Sequence, residues 1–405
     1  MGQKLTAPES SDDEVVELTL SVSARPTTAV LKSSSGLPAG MPQAGAAGLA
    51  AHLAPHTASD LANSRHLLEL RGMPRQRLVE LLHLARMFRD RIGAAPVNLS
   101  EGPVGDELRG RVVGNLFFED STRTRVSFSV AAKRLGAEVI DLASAGSSAS
   151  KGETVIDTAA NVASMGVDAL VIRHRSSGAA HMIAKALDGL VGSEGGGVLH
   201  KPCSVINAGD GRHEHPTQGL LDIFTVADAF GRLESFDLTG ITIGIVGDIG
   251  SSRVARSGIA GFSALGARVV CIGPPSLVPS AIRTLGCETS HDLDAILPEL
   301  DVINVLRIQF ERHDVGTGAT VAENQPAAKS SAAIASIREY TEFFGLTAAR
   351  AERLKPKAIV MHPGPINRGV EIASSVADGK RSLILRQVHH GVAVRMAAMA
   401  MCIKA

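Results

Sequence analysis

From Gly110 onward, short β-branched and apolar runs alternate with longer stretches whose apolar residues recur every three or four positions. The runs are Val112–Phe118, Val139–Leu142, Ala169–Ile172, Ser204–Ala208, Thr242–Val246, Arg268–Ile272, Val302–Val305 and Ala358–Met361. Short buried strands alternating with amphipathic helices predict βαβ units and an α/β class of doubly wound parallel sheets. Upstream, a helical pattern starts near Asn63, with Leu67, Leu68, Leu70, Leu78, Leu81, Leu82 and Leu84 along one stripe. Residues 1–62 differ, because Ser, Ala, Pro, Thr and Gly dominate and no period persists beyond Val15–Val22. That composition buries too little apolar surface to offset ordering entropy, so a disordered extension is expected there.

Composition narrows the function. The chain has 405 residues, 41 basic and 41 acidic side chains and a net charge of +0. No whole-molecule field draws it to nucleic acid or an anionic membrane, so any anion must meet a local cluster. Hydrophobic residues at 44% supply ample core, and the length suggests two or three domains. Aromatics at 3%, without Trp and with one Tyr, argue against a stacking platform for bases or sugars. Cys203, Cys271, Cys287 and Cys402 are widely spaced, which favours reduced thiols over a zinc knuckle or a disulfide framework. No apolar run approaches the roughly 18 residues of a membrane span. The N-terminus lacks a signal-like pattern, so a cytoplasmic location is expected.

In doubly wound folds, sites lie beyond the carboxyl ends of strands, so the residues just after each run matter most. After Val112–Phe118 comes Glu119-Asp120-Ser121-Thr122-Arg123-Thr124-Arg125 at a helix start. Free N–H groups, hydroxyls and guanidinium forks there suit an anion, although Ser and Thr also cap helices routinely. Arg173 comes after Ala169–Ile172, either as a surface snorkel or as a ligand clamp. Gly209–Gln218 comes after the next run, and His215 and Gln218 offer hydrogen bonds to a small polar substrate. His213, Glu214 and His215 need not converge in a loop, and no distant cluster in the sequence completes their ligand set; no metal is expected. Gly247-Asp248-Ile249-Gly250 resembles a dinucleotide turn but has G-x-x-G spacing, and no acidic residue ends the following strand. Arg307 and Gln309 lie after Val302–Val305, and His362-Pro363-Gly364-Pro365 lies after Ala358–Met361. The loop Ser144–Ser150 precedes Lys151, an ordinary solvated lysine unless the loop is a lid.

Together Arg123, Arg173, Arg253, Arg307 and Lys151 suit substrates carrying phosphate and carboxylates. No P-loop, acidic metal cluster or nucleophile signature accompanies them. Direct attack of one bound substrate on another, promoted by positioning and charge stabilisation, fits best.

Ser121-Thr122-Arg123-Thr124-Arg125, Lys151-Gly152-Glu153-Thr154, His215-Pro216-Thr217-Gln218 and His362-Pro363-Gly364-Pro365 resemble, in order, the motifs of the transcarbamoylases. Within that family the chain is similar to the aspartate carbamoyltransferase catalytic chains over roughly residues 63 to 405. Ornithine enzymes carry H-P-C-Q and C-L-P at two of these places, and a cationic substrate side chain gains nothing beside Arg307. The resemblance implies carbamoyl transfer from carbamoyl phosphate to L-aspartate in de novo pyrimidine (UMP) synthesis. It implies Ser121, Thr122, Arg123 and Thr124 on the phosphate, and Thr124, Arg173 and His215 on the carbamoyl oxygen. Gln218 and the carbonyls of Pro363 and Gly364 would orient the carbamoyl nitrogen, and Arg253, Arg307 and Gln309 would bind aspartate.

By the same resemblance, Ser147 and Lys151 act on a neighbouring subunit's site in a homotrimer, with no cofactor or metal. Ala149-Ser150 before a single Lys151 departs from the family pattern and weakens the Ser147 alignment. The implied domains are 63–218 for carbamoyl phosphate and 219–383 for aspartate. A final helix in 384–405, with Gln387, Gly391 and Arg395, returns to the first. A regulatory chain or a dihydroorotase partner is left open by the sequence. So are a catalytically silent scaffold and, on Gly247–Gly250, a nicotinamide-dependent oxidoreductase.

Overall fold

The computed structural model describes residues 65–94, 105–143, 153–192, 199–309 and 336–404. The expectations for residues 1–62, Ser147 and Lys151 therefore lie outside the described residues. Strands β1 (Val112–Phe117), β2 (Glu138–Ala143), β3 (Ala169–His174) and β4 (Ser204–Asp210) form one sheet in the order β2-β1-β3-β4. Strands β5 (Thr242–Val246), β6 (Arg268–Ile272), β7 (Glu288–Ser290), β8 (Val302–Val305) and β9 (Ile359–Met361) form a second in the order β7-β6-β5-β8-β9. Every ladder in both sheets is parallel. The class is the one the alternation predicts, and the reason is visible in burial. All residues of β4, β8 and β9 are buried, as expected of strands covered on both faces by crossover helices.

Three differences from the sequence reading matter. The helical pattern expected from near Asn63 becomes a helix only at Arg75 among the described residues, and Leu67 instead bridges Ile206 of β4 in parallel. Strand β3 extends two residues past Ile172, with a register shift between Ile172 and His174 where it pairs with β4. A bulge of this kind redirects a side chain, and the residue concerned is Arg173. Strand β7 has no counterpart among the predicted runs: Glu-Thr-Ser is short, polar and at the sheet edge, so it leaves no hydrophobic signal.

The Pro216–Ala229 helix leaves β4 and leads toward the second sheet, and Pro216 through Ala227 are all buried. It packs on the Arg253–Ala264 and Ile384–Lys404 helices. The Ile384–Lys404 helix also packs on the Arg75–Ala94 and Thr122–Arg134 helices. Its end is tied to β4, where Ser204 Oγ donates to the Cys402 carbonyl at 2.8 Å. Arg395 donates to Ser127 Oγ at 2.9 Å, and its guanidinium lies 5.1 Å from the Phe128 ring centre. No helix among the described residues is long and apolar enough to cross a membrane.

Candidate active site

In each sheet the chain reverses winding direction beside the first strand, so the loops after neighbouring strands diverge and leave a crevice. The loops after β1, β3 and β4 and those after β5, β8 and β9 line one cleft of about 720 Å³. Ser121, Thr122, Arg123 and Thr124 enter it from β1, Arg173 from β3, and His215 and Gln218 from β4. Arg253, Arg307 and Gln309, with Pro363 and Gly364, enter from the second sheet.

The Thr122–Arg134 helix begins at Ser121, whose side chain makes no capping hydrogen bond. Thr154, Ser252, Asp292, Ser336 and Thr347 do cap their helices. The routine reading of Ser121 as a structural cap therefore fails, and its hydroxyl stands at a positive helix end inside the cleft. Arg123 lies against the backbone of Gly364, where a Cβ would overlap the guanidinium and φ is +66°. Burial, and then the charge of Arg307, hold the Arg123 pKa below its usual value. Two guanidinium groups facing one space favour an anion between them.

Arg173 donates through Nη1 to the Ala208 carbonyl at 3.0 Å. Gly209, with φ +111°, lets it and Arg253 approach: a Cβ there would lie 2.9 Å from Arg253 Nε and 3.1 Å from Arg173 Nη1. Glu119 joins the pair, 2.8 Å from Arg253 Nη2 and 3.5 Å from Arg173 Nε. Asn367 Nδ2 donates to the Ile308 carbonyl at 2.9 Å and so holds the loop that carries Arg307 and Gln309.

His215 is buried at the start of its helix, and its backbone N–H donates to Ser257 Oγ at 2.9 Å. Burial, then the charges of Arg173, Arg395 and Arg253, push its pKa well below the ordinary histidine value. The ring is neutral at physiological pH, and Nδ1 has no hydrogen-bond partner among the described residues. A neutral imidazole in this position can donate one N–H without carrying a proton to the reaction. His362 fixes the other wall: Gly364 N–H donates to its Nδ1 at 2.7 Å, so Nε2 carries the hydrogen toward Glu371 Oε1 at 3.2 Å.

Residues 65–228 match the family model described as "Aspartate/ornithine carbamoyltransferase, carbamoyl-P binding domain". Residues 239–402 match the one described as "Aspartate/ornithine carbamoyltransferase, Asp/Orn binding domain". The chain belongs to the aspartate/ornithine carbamoyltransferase family. It is 49% identical to the aspartate carbamoyltransferase catalytic subunit of Myxococcus xanthus, over 84% of this chain and 99% of that one. The Gluconobacter oxydans catalytic subunit is 47% identical over 83% of this chain and 94% of its own. The Trypanosoma cruzi aspartate transcarbamoylase solved with carbamoyl phosphate and aspartate is similar in fold, with a TM-score of 0.67 and 30% identity. That likeness covers 86% of this chain and 98% of that one. The same enzyme with N-(phosphonacetyl)-L-aspartic acid also gives 0.67 and 30%, over 85% and 97%.

Some of what this family member places in and around its cleft is not legible in the sequence. Glu119, Asp120 and Asp248 line the cleft beside the arginines, so acids are nearer than the loops suggest. Glu119 and Asp120 directly precede the Ser121 loop and Asp248 follows β5, so their places are visible, but nothing local announces Arg173 and Arg253 as partners of Glu119. The three residues His213, Glu214 and His215 separate. His215 faces the cleft, Glu214 accepts from the Leu70 and Arg71 N–H groups, and His213 lies between Asp210 and Glu69, each at 3.0 Å.

Contrary to expectation, distant groups do gather round His213, since Glu69 and His181 are adjacent. Both His213 ring nitrogens already face carboxylates. Burial opposes the charge, but the hydrogen bonds to Asp210 and Glu69 outweigh it and raise the His213 pKa to about 10. A doubly donating imidazolium is a cationic strut with no lone pair to offer a metal.

Proposed function

We propose that this chain transfers the carbamoyl group of carbamoyl phosphate to the amine of L-aspartate, giving N-carbamoyl-L-aspartate and phosphate in de novo pyrimidine synthesis. The observation that carries this reading is the meeting of Arg123, Arg173, Arg253 and Arg307, from four separate strand ends, with a neutral His215 in one cleft. Glu119 is already paired with Arg253 and Arg173, so the arginines favour a phosphate and two carboxylates over a cationic side chain even with three acids in the lining. Aspartate, rather than ornithine, is therefore the acceptor. The Trypanosoma cruzi complexes with carbamoyl phosphate, aspartate and the bisubstrate compound support it by likeness.

In this reading Ser121, Thr122, Arg123 and Thr124 hold the phosphate at the helix start, and Arg123 stabilises the departing phosphate. The aspartate amine attacks the carbamoyl carbon. Thr124, Arg173 and His215 stabilise the oxygen that becomes anionic, an effect worth about 3 kcal/mol per lost donor. Gln218 and the carbonyls of Pro363 and Gly364 orient the carbamoyl nitrogen, while Arg253, Arg307 and Gln309 hold the two carboxylates. No residue is assigned as a dedicated general base.

The finer organisation belongs to the same proposal: a cytoplasmic homotrimer in which Ser147 and Lys151 reach a neighbouring site. A regulatory chain or a dihydroorotase is a candidate partner. The division at residue 218 is also part of it, although the matched family segments divide between 228 and 239. Purified protein given carbamoyl phosphate should release phosphate when aspartate is added. Release with ornithine but not with aspartate would overturn the substrate assignment, and a native mass measurement tests the trimer.

A further inference from the structure

Asp222 lies one turn beyond Gln218 on the Pro216–Ala229 helix and is fully buried. Its Oδ1 accepts from Gln218 Nε2 at 2.9 Å and from Gln387 Nε2 at 2.8 Å, and its Oδ2 faces Asn304 Nδ2 at 3.3 Å. The direction of these bonds is not free. Gln387 Oε1 receives the backbone N–H of His362 at 3.0 Å, and a backbone N–H can only donate. Gln387 therefore turns its Nε2 to Asp222, and Oδ1 is an acceptor. Gln218 meets the same oxygen with its own Nε2, which leaves Oε1 as the amide atom for the cleft that this side chain lines.

We infer that Asp222 is a specificity-determining positioning residue: it locks the Gln218 amide with its oxygen toward the cleft, so the site recognises an –NH₂ on the acyl carbon and rejects a methyl group in its place. The inference rests on the carbamoyl-transfer reading and deepens it. A cleft-facing amide oxygen is satisfied by a carbamoyl nitrogen and left without a donor by an acetyl group, a difference that discriminates strongly in enclosed sites. Burial raises the Asp222 pKa to about 7, against the pull of Gln387, Gln218 and Asn304 and the charge of Arg395. In mildly alkaline solution the carboxylate is ionised and can only accept.

The test compares wild type, Asp222→Ala and Asp222→Asn near pH 8, reading apparent affinities for carbamoyl phosphate, acetyl phosphate and inorganic phosphate together with kcat. Wild type should prefer carbamoyl over acetyl phosphate by about tenfold or more. Asp222→Ala should lose about tenfold of that preference, mainly through KM for carbamoyl phosphate, with phosphate affinity changed less than about twofold. Asp222→Asn should keep the preference. Its Oδ1 still accepts from both glutamines, and its Nδ2 meets Asn304 Oδ1, which is buried without a partner among the described residues, once the Asn304 amide turns over. If Asp222→Ala does not fold, Asp222→Ser replaces it with the same expectation, because a hydroxyl that donates as well as accepts dictates no orientation. A wild type without the preference, an Ala or Ser variant that retains it, or an Asn variant that loses it overturns the inference. Absence of aspartate-dependent phosphate release from wild type would instead sink the reading beneath it.

Discussion

Gly364→Ala places a methyl group where the Arg123 guanidinium now lies. Two penalties result, and they separate. The first is backbone strain: φ is +66°, and a residue with a Cβ in the left-handed region costs roughly 1–2 kcal/mol. In a large domain that lowers the melting temperature by about 2–4 °C per kcal/mol. The second is displacement, since Arg123 must withdraw by about 1 Å or more to restore ordinary contact, and a shift of that size at a reacting centre lowers turnover by about 100-fold. Gly369→Ala is the control. Its φ is +81°, but a Cβ there meets nothing within 4 Å among the described residues, so it carries the strain without touching a described arginine. Thermal melts and initial rates of phosphate release on both variants distinguish the two effects. Gly364→Ala should lose stability and rate together, and Gly369→Ala stability alone. Equal turnover in the two variants would show that the approach of Gly364 to Arg123 has no part in function.

Arg123→Ala should reduce kcat/KM by orders of magnitude while leaving circular dichroism unchanged, and near-normal kinetics would remove it from the phosphate site. His215→Ala should slow the chemical step by about 100-fold, as loss of one oxyanion donor does; single-turnover rates measure it. His213→Gln should destabilise the protein by about 1–2 kcal/mol, allowing for partial exposure. His213 has a folded pKa raised from 6.5 to about 10, so its stabilisation is complete below pH 6.5 and disappears as pH rises through about 10. Melts near pH 6 and pH 10.5 should show the gap between wild type and variant closing at the higher value, and a constant gap would refute the ion-pair account.

Strands with continuous apolar character are readable to the residue, as at Thr242–Val246, Arg268–Ile272 and Val302–Val305. Burial on both faces removes the polar alternation and leaves an unambiguous run. Strand β7 is not readable, because Glu288, Thr289 and Ser290 owe their conformation to the β6 edge they pair with. The same contrast holds at the site. Short motifs at strand ends point to Arg123 and His215, but Glu119 meets Arg253 across 134 positions of sequence. Asp222 reads as an ordinary helical residue until Gln387 arrives beside it from 165 positions away. Local pattern identifies groups that face a ligand; groups that orient them depend on contacts only the finished fold brings together.

The cleft is lined by five arginines and three carboxylates, within a chain whose charges cancel. Folding thus works against a local excess of positive charge, and an anion seated between Arg123 and Arg307 relieves it. Ligand and fold are thermodynamically linked: at a hundredfold excess over Kd, an anion adds about 2.7 kcal/mol to stability. The choice of buffer therefore changes the protein being measured. Sulfate, phosphate or citrate should accordingly compete in rate assays and raise the melting point. Conversely, a melting curve recorded in chloride against a series of dianions ranks their fit to the cleft without a single turnover.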